Sequence, residues 1–483
     1  MTETSTRLPV SYAQHGIWMG QRLAPDNPGY WTAEATELDG PLDIDAFRAA
    51  AAAALAHCPA LRMRFEFDGE QLWQRPQAAP AQALPWHDLS GAADPEAAAD
   101  AWMREALSRP CDPAAGPLHR SALLQLGPHR FLWYVQTHHI ALDGFAYGLL
   151  AKAVSARYNA AQRGQDAPPL PDWRLEQVLA EDQAYQASEQ RERDRAFWTA
   201  RQQAFPPAAT LAPPQPLADS VRKAGRALTA SQIDAWQRAA KACGVNWAAW
   251  LMAATAAWLA RRSGRRAITL GLPVMNRMGS AALAVPCMAM NIAPFSLRLD
   301  PAASLGELAR QAAAGLRDIR PHQRYRYEWL RGDLGRLDGR QRLFGPVLNL
   351  MPFDRHAPFD GLKTRIRPIS SGPVEDLSIN ISLLNTEWRL SLEAHPDAYP
   401  AERLDALWHE LPQWLDQLAH AEPGTPLASL LPDLPPLSIL QGPALERPAV
   451  PVMERLAAQA VAQPDAVALE GEGQALSYRQ LLD

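Results

Sequence analysis

The chain has 483 residues, 47% of them hydrophobic and 20% charged, and its 47 Lys and Arg against 52 Asp and Glu give a formal net charge of −5. Such a length buries a sizeable core and suggests about three units, while the mild acidity excludes the basic surface that selects nucleic acid or an anionic membrane. Four cysteines without a CxxC pair exclude a disulfide framework and a thiolate zinc site; with no secretory leader and no long apolar run, the expectation is a soluble cytoplasmic protein.

In chain order, the first expected helix is Ile44–Cys58, alanine-rich and capped by Asp43 or Asp45. The alternation of Arg62–Phe67 predicts a strand, with Gln71–Gln74 as its hairpin partner across Asp68-Gly69. Asp94–Arg109 predicts a helix, and Ser121–Gln125 and Arg130–Gln136 predict paired strands around Gly127-Pro128. Two long helices follow, Phe145–Ala161 and Leu175–Phe205, the second stopped by Pro206. The proline-dense stretch Pro206–Pro216 reads as a connection within a larger body. Thr229–Ala260 predicts two helices parted at Gly244. Strands are expected at Ala267–Leu272, Asn291–Leu299, Pro346–Leu350, Thr364–Pro368, Leu377–Leu384 and Trp388–Glu393, with helices at Ser304–Arg320 and Ala401–His420.

These elements form two α/β (α+β) series split near residue 175: an N-terminal lobe over 1–175 and a C-terminal lobe over 176–430. A second proline-rich stretch makes 431–450 a linker. In the remaining 451–483, a helix at Met453–Ala462, a strand at Ala466–Gly471 and a helix opening at Leu476–Asp483 are too few to bury their own core, so this piece reads as the start of a further domain.

The window Phe131–Leu150, FLWYVQTHHIALDGFAYGLL, carries the chemistry. An aromatic strand delivers His138 and His139 into a loop that holds Asp143 and Gly144 before a helix. Imidazole moves protons near neutral pH, and a strand end before a helix is a frequent place for function. Adjacent residues of an extended chain point to opposite faces, so the two rings do not chelate one metal; with no HxxxH or HxH spacing elsewhere, no metal site is expected. Asp143 can orient the histidine or anchor the loop through an arginine, and Gly144 permits backbone conformations that other residues resist.

HHIALDG fits HHxxxDG, and the chain resembles the condensation domains of nonribosomal peptide synthetases. Other windows resemble that family in the same order: SYAQHGIW at Ser11, HCPALRMRF at His57, EDQAYQASEQRERDRAFW at Glu181, LGLPVMNR at Leu270, HQRYRYE at His322 and LFGPVLNL at Leu343, covering about 8–430. LSYRQLLD at Leu476 resembles the opening of an adenylation domain, which would make 451–483 its N-terminal fragment.

The resemblance implies two chloramphenicol-acetyltransferase-like lobes in a V-shaped pseudo-dimer with a central tunnel. It implies amide formation between a donor acyl or aminoacyl thioester and the amine of an aminoacyl thioester, in nonribosomal peptide biosynthesis such as that of siderophores or lipopeptides. No cofactor is bound by the chain itself; phosphopantetheine comes on partner carrier domains. The expected partners are an upstream donor carrier in trans and the acceptor carrier and adenylation domains of the same module, with no nucleic acid and no membrane.

By match to the motif, His139 is catalytic, as general base or as a group positioning the amine, and the Gly144 N–H points at the developing oxyanion. His138 packs behind the site. Asp143 anchors the loop through Arg277 as first choice or Arg62 as second. Asn349 and Tyr147 are tunnel candidates on the substrate side, and Trp18 belongs to the core. Gly144 argues against an epimerisation domain, and the absence of a paired-aspartate motif argues against heterocyclisation. The alternatives are a coenzyme-A-dependent acyltransferase of the same superfamily and a non-catalytic platform that docks carriers.

Overall fold

The computed structural model describes residues 7–78, 83–336, 341–431, 452–471 and 474–482. Contacts divide the chain into two units, Met1–Leu434 and Pro435–Asp483.

The first unit opens with β1 (Leu8–Pro9) and α1 (Tyr12–Leu23). A capping box starts α1: the Ser11 hydroxyl accepts from Gln14 N and the Gln14 side chain from Ser11 N. Then come β2 (Trp31–Asp39), α2 (Ile44–His57), β3 (Met63–Phe67), β4 (Leu72–Pro76), β5 (Trp86–Asp88), α3 (Pro95–Ser108), β6 (His119–Gly127), β7 (Arg130–His138) and α4 (Gly144–Gln162). After α5 (Leu175–Gln186) and α6 (Glu189–Gln203) follow β8 (Arg222–Ala227), α7 (Ala230–Ala242), α8 (Trp247–Ser263), β9 (Ala267–Val274), β10 (Asn291–Arg298), α9 (Leu305–Ile319) and α10 (Tyr327–Asp333). The unit ends with β11 (Val347–Met351), β12 (Lys363–Ser371), β13 (Leu377–Leu384), β14 (Glu387–Ala394), α11 (Ala401–Ala419) and α12 (Leu427–Leu430).

Two large sheets organise it. The first has the order β12-β2-β7-β6-β5 and the second β10-β9-β11-β13-β14-β8; β1, β4 and β3 form a small third sheet. α2 and α4 cover one face of the first sheet, where Phe47, Trp133, Val135, Leu150, Val154 and Tyr158 are buried together. α3 covers the other face through Met103 and Tyr134. The second sheet packs on α8, which is buried on all sides; its run WAAWLMAATAAWLA suits a helix surrounded by protein.

β12 crosses between the two series of elements. It arises in the later series, yet it pairs antiparallel with β2 and forms an edge of the first sheet.

Several expectations shift. The single helix expected over Leu175–Phe205 is two, because the Ser188 hydroxyl accepts from Arg191 N and starts a new helix at Glu189. The strands β2 and β8 are absent from the sequence reading: β2 (WTAEATELD) is rich in Ala and Glu, which favour helix, and its burial in mid-sheet overrides that preference. Leu431 is buried, and the rest of the expected linker, 432–450, lies outside the described residues.

In the second unit, α13 (Val452–Ala462) precedes β15 (Val467–Gly471) and β16 (Gln474–Ser477), which pair antiparallel, then α14 (Tyr478–Leu482). The helix expected from Leu476 thus begins at Tyr478, since Leu476 and Ser477 complete the ladder with β15.

Candidate functional site

β7 lies between β2 and β6 and brings its aromatic run to an end at His138. The loop then turns at once: His139 N donates to Tyr30 O at 2.8 Å and Ala141 N to His138 O at 2.9 Å. Asp143 caps α4, accepting from Phe145 N and Ala146 N at 3.1 and 3.2 Å.

The two histidines have different tasks. His138 is fully buried; its Nδ1 accepts from Ile140 N at 3.2 Å, so its Nε2 carries the proton and donates to Gln21 Oε1 at 3.0 Å. Burial pushes its pKa down to about 3, aided by the nearby His139. His139 is partly exposed and holds the opposite tautomer: Nδ1 lies 2.9 Å from the Leu142 carbonyl, which only accepts, so Nδ1 bears the hydrogen and Nε2 keeps its lone pair. Desolvation lowers the His139 pKa against the opposing pull of Leu142 O and Asp143, so the ring is neutral at neutral pH.

Gly372, just past β12, closes over this ring. Its φ is +90°, and a Cβ there would lie 3.2 Å from both His139 Cδ2 and Thr32 Cγ2, so only glycine fits without displacement.

Behind the loop, both oxygens of the Asp143 carboxylate are engaged. Arg277 Nη2 meets Asp143 Oδ1 and Oδ2 at 2.8 and 2.9 Å, and both side chains are desolvated. Ala289 N and Met290 N each donate to Asp143 Oδ2 at 3.1 Å. Arg277 also donates to the carbonyls of Ala282, Val285 and Cys287, and its guanidinium lies 4.9 Å from the Phe145 ring centroid. A carboxylate so engaged is an anchor, since each of its oxygens is taken.

The structure brings His138, His139, Asp143, Gly144 and Arg277 together. Gly144 is the first residue of α4, where an amide finds no intrahelical acceptor. Its φ is not positive and a Cβ would meet open space, so glycine here leaves room beside the loop; the special backbone conformation expected of it is not used. Tyr147 is a buried strut: its hydroxyl donates to Thr32 O at 2.8 Å and lies 2.9 and 2.8 Å from the hydroxyls of Thr32 and Thr137. Arg62, the second partner expected for Asp143, instead donates to Gln77 O at 2.7 Å. Asn349 stands on β11 of the second sheet, where its amide donates to Asn380 Oδ1 at 3.2 Å. Trp18 is buried in the core beside Phe67. Burial pushes the thiols of Cys58, Cys111 and Cys287 up to about 12, which leaves them unsuited as nucleophiles.

A cavity of about 240 Å³ reaches Asn276, Arg277 and Ala289 from the side of Ser11, Glu181 and Arg326. A larger groove, about 670 Å³, lies among α7, α8 and α9 and touches none of the candidate residues. The sequence reading did not find Gly372 as a neighbour of His139, nor Glu34 and Arg355 beside α4. Of these only Gly372 lies in a recognisable turn signal, Ser-Gly-Pro.

Comparison with known proteins gives a consistent picture. The family model described as "Condensation domain" matches residues 4–433. Isonitrile lipopeptide synthase of Streptomyces coeruleorubidus is 38% identical over 487 aligned residues, spanning 99% of this chain and 33% of the relative. Enterobactin synthase component F of Escherichia coli O157:H7 is 32% identical over 99% of this chain and 38% of its own length. The chain thus spans about a third of these curated relatives. Among solved structures, a doubly substituted mutant of the starter condensation domain of rhizomide synthetase RzmA, in complex with C8-CoA and Leu-SNAC, superposes with a TM-score of 0.81 at 33% identity, covering 88% of this chain and 97% of that one. The first condensation domain of the calcium-dependent antibiotic synthetase, with a substrate analogue, gives 0.78 at 30% identity, covering 88% and 98%.

Proposed function

This chain belongs to the condensation-domain family of nonribosomal peptide synthetases, an amide-forming acyltransferase fold, and from that premise we propose how His139 and its surroundings make the bond. The observation that carries the reading is the tautomer: the bond from Nδ1 to Leu142 O leaves Nε2 as the free acceptor.

The acceptor is the α-amine of an aminoacyl thioester and the donor is an acyl thioester. The amine nitrogen attacks the donor carbonyl carbon with its N–H directed at His139 Nε2. A C–N bond forms and the C–S bond breaks. The proton leaves the nitrogen through Nε2 to the departing thiolate. An α-amine has a pKa of about 7.7–8.0, so a neutral fraction exists at physiological pH. A ring whose own pKa burial depresses is a modest base, and it suits receiving a hydrogen bond and relaying a proton more than storing one. Placement of two tethered reactants supplies much of the acceleration. The Gly144 N–H, at the start of α4, is the donor nearest in sequence for the carbonyl oxygen as it gains charge. Asp143, Arg277 and His138 hold the frame.

The likeness to a starter domain crystallised with C8-CoA and Leu-SNAC supports a fatty-acyl donor and an α-amino-acyl acceptor. Both arrive as thioesters of phosphopantetheine, on the arms of carrier domains with the donor carrier on a separate protein, or, for the donor, on coenzyme A as in that structure. We read 1–175 and 176–430 as the two lobes, joined through β12, and 451–483 as the opening of an adenylation domain. Adenylation consumes ATP, which sets this work in the cytoplasm; among the described residues no helix is long and apolar enough to cross a membrane.

The test is direct. Octanoyl-CoA or an octanoyl carrier is mixed with a leucyl thioester and the acyl-leucyl product is followed by mass spectrometry. Product is expected from the native chain and at most a trace from His139→Ala; undiminished product in the variant overturns the assignment.

A further inference from the structure

The ten or so residues between β11 and β12 do more than connect two sheets: they lie as a strap along α4. Near its start the Phe353 ring meets Phe145 edge-on, with centroids 5.8 Å apart. Farther along, Ser155 and Asn159 both donate to Pro358 O, and Asp360 N donates to Asn159 Oδ1 at 2.8 Å. At the far end Arg163 grips the Asp360 carboxylate at 2.7 and 3.0 Å.

Among the described residues, Arg355 is the charged group of the strap that reaches the catalytic end of α4. Its Nη1 donates to Gly144 O at 2.7 Å and to the Glu34 carboxylate at 3.0 Å. The two side chains are only 14% and 10% exposed. Gly148 permits this approach: a Cβ on it would lie 3.3 Å from Arg355 Cβ. Glu34 stands on β2 two residues beyond Thr32, which holds the Tyr147 hydroxyl. Burial pushes the Glu34 carboxyl up and Arg355 pulls it back, so each charge depends on the other.

The start of α4 is therefore held from two sides by arginines of the later half of the chain. Arg277 takes the Asp143 carboxylate and Arg355 takes the carbonyl of the next residue. We propose that Arg355, braced by Glu34, is a positioning residue: it fixes the first turn of α4, and through the Leu142–Asp143–Gly144 backbone the orientation of His139. Arg355 touches neither reactant; it acts through Gly144. The inference rests on the reading of His139 given above.

Steady-state amide formation is measured for Arg355→Met, Arg355→Lys, Glu34→Gln and the double variant Glu34→Gln/Arg355→Met, with His139→Ala alongside and the folded fraction of each fixed by urea denaturation. The double variant strands no buried charge and is expected to fold. Its kcat is expected to fall between about 10- and 100-fold, the scale of a displacement near 1 Å, with acceptor KM little changed. Arg355→Lys is expected to recover part of the kcat, because an ammonium still bridges Glu34 and Gly144 O. A folded double variant with native kcat, or losses that merely follow the unfolded fraction, overturns the proposal. Native turnover in His139→Ala overturns instead the reading on which it rests, so the two failures are separable.

Discussion

The two sides of the His139 loop are built on opposite plans. Behind it, Asp143 accepts from four backbone N–H groups and from Arg277, and His138 uses both ring nitrogens. In front, His139 Nε2 has a lone pair to give, Gly144 opens a helix onto free space, and Gly372 sits tight against the imidazole. Hydrogen bonds completed inside the protein add rigidity; those left open are the ones a substrate can complete. Substitutions behind the loop should cost stability, and those in front should cost rate.

The largest effect is expected behind. Asp143→Ala leaves Arg277 buried without its counter-charge and should destabilise the fold by roughly 3–5 kcal/mol, read as a lower urea midpoint, with activity lost in parallel. A stable Asp143→Ala would erase the distinction between the two sides. His139→Ala should do the reverse: amide formation falls by about 10²-fold or more while the urea midpoint holds.

Acidity probes the rear side through His138. The folded protein refuses a proton on His138 until about pH 3, whereas the unfolded chain accepts one near the ordinary 6.5. The unfolded state thus binds more protons between those values. Stability is complete above 6.5 and declines as pH falls, with a slope of up to about 1.4 kcal/mol per pH unit from this residue. His119, pushed down to about 4 by burial and Arg64, adds to the slope over part of that range. Urea midpoints from pH 7 to 5 check it, and His138→Gln should flatten the curve.

Two glycines give the finest test. Gly372→Ala forces a side chain into positive φ and against His139, so about 1–2 kcal/mol of stability and a measurable share of kcat should go together. Gly144→Ala should change stability by no more than about 0.5 kcal/mol, since its Cβ meets nothing. A fall in kcat or a rise in donor KM there would show that substrate occupies the space.

What the sequence disclosed follows from how locally each feature is encoded. HHIALDG is a contiguous run, and the turn from β7 into α4 is written in it: a strand end, then an aspartate cap, then a helix. The Asp143–Arg277 pair spans 134 positions, and ordered motifs pointed to it where periodicity would not. β2 escaped notice because its pairing with β7 and β12, rather than the preferences of Ala and Glu, holds it extended. Glu34 and Arg355 carry no local signal in the sequence; they meet only where the strap crosses the start of α4 beside β2. Asn349 is singled out by resemblance rather than by any local pattern, and one N–H of its amide goes to Asn380.

The place of β12 carries a consequence for how the protein is made. Ser370 bonds the carbonyl of Trp31 across 339 positions of sequence. At roughly 5–20 residues per second of synthesis, β2 waits on the order of 20–70 s on the ribosome before its second neighbour exists. During that interval it is an unpaired sheet edge, open to any strand that passes. The strap over α4 emerges just before β12, so the nascent chain gains its completed sheet and the contacts of Arg355 with Gly144 and Glu34 almost together.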